Sequence, residues 1–400
     1  MKKTDIAIDK DRLDLIQRQL DEAVADKVIA GCSCLVLKGG EEMGYYESGK
    51  RDVEKDLPIT RDTIFRMFSM SKPITSVAVM QLMENGRLDI GDPVSKYLPG
   101  FKNQRCYKDG KITFVSEEMT IKNLLDMTSG LCYPGEGNDT ERITGDFVAE
   151  AAKKFHTPEE MTTVELMNEL GKLPLAFEPG DKWNYSFSAD VLGAIVEVVS
   201  GMKYSEYLYK NIFEPLEMFD TGFYVPEDKQ DRLARAYYTD GVEFTEYTGE
   251  NLLIQSRLEE RPKFESGGAG LSSTIDDYSK VCSMLLNGGE YKGKRILHPE
   301  TIRFMTMGSL TQRQQSCIGG WNYLNGYTYG NLLRVLKYPG EAVSIGVEGE
   351  YGWDGWLGVY VSNIPEYDMT ILYMQQKPDT GTTDVVNKLR NVIFSSISEK

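Results

Sequence analysis

Apolar positions along the first thirty residues fall on one helical face. Leu13, Ile16, Leu20 and Ala23 recur at spacings of three, four and three, which predicts a single amphipathic helix over residues 9–30. Two strand-like runs follow, residues 32–38 and 42–47, with Gly39-Gly40 between them. The far end repeats the combination. Residues 357–362 and 369–375 are rich in Val, Ile and Tyr, and Thr382 and Thr383 then cap a helix carrying Val385, Val386, Leu389, Val392, Ile393 and Ile397. Between them the period changes to 3.6, with helices predicted over residues 74–85, 121–127, 164–170, 189–200 and 204–212. The economical arrangement is α+β: an antiparallel sheet flanked by helices, built from residues 1–71 and 268–400, with a mostly helical lobe, 72–267, inserted.

Charge narrows the partners. The 400 residues carry 45 basic and 61 acidic side chains, a formal net charge of −16. Such a surface repels phosphate backbones and anionic lipid, so neither nucleic acid nor a membrane is expected as a partner. No run approaches the ~20 apolar residues of a membrane span. Asp5, Asp9, Asp11 and Asp14 follow the two N-terminal lysines where a secretory signal would need an apolar stretch. Six cysteines without a C-x-x-C pair suggest neither a zinc ribbon nor a disulfide scaffold. Cys32 and Cys34 share one strand face and read as small buried hydrophobes. A reduced, cytoplasmic protein is expected.

Only two histidines occur, His156 and His298, and each precedes a helix-start signature. Both fit a Ser-His-Asp triad or a histidine metal site poorly. The stretch Gly268-Ala269-Gly270 lacks the third glycine of a dinucleotide fingerprint, and neither a Walker loop nor a G-x-S-x-G elbow is present. No metal or cofactor is expected.

Three stretches carry chemistry instead. Ser69-Met70-Ser71-Lys72 enters a predicted helix, where a spacing of three puts Ser69 and Lys72 on one face and near the positive end of the helix dipole. A serine hydroxyl becomes nucleophilic when a neighbour takes its proton; a desolvated lysine can do so, as can a tyrosine acidified by that lysine. Tyr185, in the loop before residues 189–200, could aim a hydroxyl at a cleft. Gly352-Trp353-Asp354-Gly355-Trp356-Leu357-Gly358 leads into the predicted strand 357–362 with its backbone left approachable.

In that order, these stretches resemble the serine β-lactamase and penicillin-binding protein superfamily, and within it the branch of class C β-lactamases, esterases and D-aminopeptidases. Thr128-Ser129-Gly130-Leu131, Pro215-Leu216-Glu217-Met218 and Ser266-Gly267-Gly268-Ala269-Gly270-Leu271 resemble further segments of the branch, so the likeness spans nearly the whole chain. It implies a β-lactamase/transpeptidase-like fold with the site between the lobes. Ser69 matches the acylated nucleophile, Lys72 the lysine that helps deprotonate it, and Tyr185 the tyrosine that passes protons to the leaving group and then activates water. The backbone N–H groups of Ser69 and Trp356 match the oxyanion hole.

Two departures bear on substrate, through Phe187, Trp353, Asp354 and Gly355. Phe187 stands where the branch's β-lactamases carry an asparagine amide. Trp353 replaces the lysine that helps bind a β-lactam carboxylate, and Asp354 adds a negative charge, worth ~3 kcal/mol against a carboxylate ~5 Å away at an effective dielectric of about 20. The tryptophan-x-glycine form resembles esterases of the branch. The implied activity is an acyl-enzyme hydrolase of small esters with weak or no β-lactamase activity. The alternatives are a D-amino-acid-specific peptidase or amidase, whose amine Asp354 would favour, and a non-catalytic scaffolding relative. Tyr323, Tyr327, Tyr329, Tyr351, Trp353 and Trp356 are expected either to line an apolar pocket or to pack in the core.

Overall fold

The computed structural model describes residues 3–108, 110–318 and 321–399. Its frame is an antiparallel sheet of eight strands: β1 (Gly31–Lys38), β2 (Glu41–Asp52), β3 (Leu57–Pro58), β4 (Tyr327–Gly330), β5 (Leu333–Leu336), β6 (Tyr351–Asp354), β7 (Tyr360–Ile364) and β8 (Met369–Gln375). Their spatial order is β4-β5-β6-β7-β8-β1-β2-β3, so β8 from the C-terminal part lies beside β1 from the N-terminal part.

Alternation along the strands sorts two apolar layers. Cys32, Cys34 and Val36 of β1, with Ile371 and Tyr373 of β8, face the helices α1 (Leu15–Ala25) and α8 (Asp384–Ser395). Leu35, Leu37, Leu372 and Met374 face the opposite way, into the larger core that continues through the helical part. That core holds α2 (Ser71–Glu84), α3 (Ile121–Leu125), α4 (Asp139–Ala152), α5 (Thr163–Leu170), α6 (Ser188–Ser200) and α7 (Ile275–Leu286). Residues Ser71–Leu82 of α2 are all buried, which explains why its sequence shows no polar stripe: the helix is wrapped on every side.

Four expectations shift. The single helix over 9–30 is broken at Asp14 into Lys10–Leu13 and Leu15–Ala25. The strand expected at 357–362 begins only at Tyr360, as β7; a further strand, β6, precedes it, and a tight turn joins them in which Gly355 N–H donates to Val359 O at 2.8 Å and Gly358 N–H to Gly355 O at 2.7 Å. Gly358 takes a φ of +89°, a backbone that glycine alone adopts readily. Ile397, expected on the last helix, instead opens the strand Ile397–Glu399, paired with Ile6–Ile8. The helix over 204–212 ends at Leu208 and continues as a wider π turn, Tyr209–Phe213.

Candidate active site

The turn before α2 is held in an uncommon backbone conformation. Phe65–Arg66 pairs with Ser272–Ser273, and Met67 N–H donates to Leu271 O at 2.8 Å. Phe68 then takes a φ of +44°, a strained value for a bulky residue, and Phe68–Met70 make one 3-10 turn leading into the helix. Ser69 thus sits in that turn and Lys72 in the first turn of α2.

Lys72 is fully buried, and its Nζ makes three hydrogen bonds: to Ser69 Oγ at 3.0 Å, Tyr133 OH at 3.1 Å and Gly268 O at 2.9 Å. Burial pulls the ammonium pKa down to about 7, against the opposing pull of the Asp190 and Asp354 charges. Near neutrality the amine is therefore divided between its charged and neutral forms. When neutral it keeps two N–H donors for Tyr133 and Gly268 and turns its lone pair to the Ser69 hydroxyl.

Tyr185 reaches the same point from the loop before α6. Asn184 pins that loop, its N–H donating to Met127 O and its Nδ2 to Leu131 O, both at 2.8 Å. The Tyr185 hydroxyl accepts from Trp353 Nε1 at 2.8 Å, its ring lies 4.5 Å from Lys72 Nζ, and the Ser69 hydroxyl is near enough to act on it. Burial pushes its pKa well above 10, although Ser69 and Trp353 pull the other way, so the resting form is the neutral phenol. A hydroxyl, an amine and a phenol from stretches far apart in sequence thus stand within hydrogen-bonding reach, an arrangement that can relay a proton away from Ser69.

Trp353 is buried among Tyr185, Trp321 and Tyr329, ring centroids 5.0–6.3 Å away. Asp354, next along β6, turns to the opposite face of the sheet. It pairs with Tyr360, which belongs to the α1–α8 layer, and its buried carboxylate accepts from the Thr382 hydroxyl at the start of α8. Burial raises its pKa. Asp354 is thus tied down on that face, although its charge still acts on Lys72 and Tyr185.

Gly355 lets the two halves of the site touch. A Cβ there would fall 2.4 Å from Met67 O, so only glycine allows β6 this close to the Ser69 turn. Among the described residues, no acceptor takes the Trp356 N–H that follows. The Trp356 ring rests 5.0 Å from that of Phe68 and its Nε1 donates to Asp379 at 2.8 Å. Phe187 is buried and packs edge-on against Tyr133 at 4.7 Å.

Tyr133, Gly268, Asp190 and the pair Trp183 and Trp321 join the site without having been singled out. Tyr133 had a signal, lying just past Ser129-Gly130-Leu131. Its hydroxyl accepts from Lys72 Nζ. A pocket of about 380 Å³ beside Tyr185 is lined by Tyr133, Trp183, Cys317, Ile318 and Trp321. None of the six aromatics expected either to line a pocket or to pack in the core is among those lining this one: Tyr323 lies tilted against Trp321 at 5.8 Å, and Tyr327 and Tyr351 are core residues, Tyr327 donating to Glu350.

A family model described as Beta-lactamase matches residues 16–393. The chain belongs to the beta-lactamase family. Members of that family are typically serine hydrolases. Esterase EstB of Burkholderia gladioli is 30% identical over 364 residues, covering 87% of this chain and 85% of its own. Protein Rv1367c of Mycobacterium tuberculosis is 30% identical over 378 residues, covering 92% and 91%. Among solved structures, "EstCE1, a hydrolase with promiscuous acyltransferase activity" superposes with a TM-score of 0.80 over 96% of this chain and 99% of its own at 24% identity, which shows the shared fold.

Proposed function

We propose that this beta-lactamase-family chain is a carboxylesterase that forms an acyl-enzyme on Ser69. The observation carrying the proposal is the triple contact of Lys72 with Ser69, Tyr133 and Gly268, with the Tyr185 ring 4.5 Å from its Nζ. Lys72, poised near neutral charge, takes the Ser69 proton as Oγ attacks the carbonyl. The N–H groups of Ser69 and Trp356 hold the developing oxyanion, a contribution of ~10²–10³ in rate for each such donor. Tyr185 passes the proton to the leaving alkoxide and then draws one from the water that releases the acid.

Esters are favoured over β-lactams by what the site lacks. No cation stands at 353 and no amide at 187; Trp353 and Phe187 fill those places with buried rings. An amine-bearing substrate would gain from a carboxylate facing the cleft, and Asp354 faces the other way. The 30% identity to a named esterase over most of both chains supports the same reading.

Turnover of p-nitrophenyl acetate, nitrocefin and a D-alanyl anilide by one enzyme preparation tests it. The ester is expected to be hydrolysed by far the fastest. Nitrocefin or the anilide in first place would overturn the assignment.

A further inference from the structure

Asp190, in the first turn of α6, is a buried carboxylate that the proton relay does not touch. Its Oδ1 accepts from the Ser266 hydroxyl and, at 3.0 Å, from the Gly268 N–H, while Ser266 Oγ accepts from Ala269 N–H at 2.9 Å. Gly268 in turn gives its carbonyl to Lys72 at 2.9 Å. One residue therefore bridges a buried anion and a buried cation, its N–H on the carboxylate and its C=O on the amine.

The glycines of Ser266-Gly267-Gly268 have a steric reason to be there. A Cβ on Gly267 would meet Ala189 O at 2.3 Å, and one on Gly268 would meet Asp190 Oδ2 at 2.6 Å. The loop is laid directly on the start of α6, where the helix N-terminus favours a negative charge. Burial raises the Asp190 pKa, while Lys72, Ser266 and the Gly268 N–H pull it back toward the carboxylate form. Lys72 meets Tyr133, Tyr185 and Asp190, and feels the charge of Asp354 from the far face of β6; Asp190 interacts with Lys72, Tyr133, Tyr185 and Tyr204.

We propose that Asp190 is a positioning residue for the Ser69 chemistry: it fixes the Gly268 carbonyl that holds Lys72 and supplies the buried anion that faces the amine through that residue. The proposal rests on the assignment of Lys72 as the base. In its terms, Asp190 keeps the amine from becoming too weak a base. Without the anion, burial alone would hold Lys72 neutral to lower pH and leave it a poorer proton acceptor.

The test reads Lys72 directly, independent of turnover. In full-length protein carrying ¹³Cε-lysine, the Lys72 resonance is the one absent from the Lys72→Arg spectrum, and its titration midpoint is followed by NMR. The wild-type midpoint is expected near the value of about 7 set by its burial. Asp190→Asn keeps an acceptor for Gly268 but removes the charge, and should lower the midpoint by about one pH unit. The acid limb of kcat/KM for p-nitrophenyl acetate should move with it while KM stays the same. Ser266→Ala leaves the charge but loosens the loop, and should move the midpoint the same way by less. An unchanged Lys72 midpoint in Asp190→Asn, or in Ser266→Ala if only that variant folds, overturns the proposal. A shifted midpoint in an enzyme without ester turnover supports it and contradicts the esterase assignment instead.

Discussion

The Trp353 indole N–H donates to the Tyr185 hydroxyl at 2.8 Å, joining β6 to the loop before α6. A bond from a neutral indole stabilises phenolate character without placing a cation in the site. Trp353→Phe keeps most of the ring packing and removes the donor. We expect kcat for small esters to fall about 10-fold with KM little changed, the usual worth of one buried hydrogen bond. Steady-state kinetics on p-nitrophenyl esters would show it.

Gly355 sets how closely β6 approaches the Ser69 turn. Gly355→Ala would place its Cβ 2.4 Å from Met67 O and 2.5 Å from Val359 Cγ2, so strand and turn must separate. The Trp356 N–H moves away with them. A loss of ~10²–10³ in kcat is expected, comparable to deleting an oxyanion donor, with the fold retained by circular dichroism.

Lys72 couples activity to stability through pH. Its folded pKa, about 7, lies below the 10.5 of an ordinary lysine, so between those values the unfolded chain holds a proton that the native protein has released. Stability from this group therefore rises with pH across that window, and below it the burial cost is present in full. Lys72→Met should raise Tm at neutral pH by roughly 2–8 °C, in line with one or two kcal/mol, while abolishing ester turnover. A scan of Tm against pH should find the wild-type and variant curves converging toward alkaline pH.

The loop before β6 is anchored by a buried ion pair. Arg390 of α8 donates to Glu350 through Nη1 at 2.7 Å and Nη2 at 2.8 Å, and to the Tyr360 hydroxyl at 2.8 Å. Neither side chain is exposed by more than 1%. Glu350→Gln strands the guanidinium, and a loss of about 3–5 kcal/mol is expected in chemical denaturation. Turnover per folded molecule should be nearly unchanged, since the pair lies away from Ser69.

Much of the frame was legible because periodicity reports burial. Leu35 and Cys34 fall on opposite faces of β1 as a period of two requires, and Ile16 and Leu20 share the buried face of α1. The breaks were not legible where tertiary contacts decide them: a turn at 355–359 closed by backbone bonds reads in sequence like the start of a strand. Ser69, Lys72 and Tyr185 were legible as motifs. Asp190 was not, since a carboxylate acting through a glycine leaves no spacing signal, and Tyr133 was marked only by its place just past Ser129-Gly130-Leu131, with no spacing that tied it to Lys72. The orientation of Asp354 followed only once the strand began at Tyr351 rather than Leu357.

The most direct measurement is covalent. A fluorophosphonate probe, followed by digestion and mass spectrometry, should modify one residue, Ser69. The Ser69→Ala protein should remain unlabelled, and Lys72→Ala or Tyr185→Phe should label ~10²–10⁴ times more slowly. Labelling at another serine, or undiminished labelling of Ser69→Ala, would contradict the account.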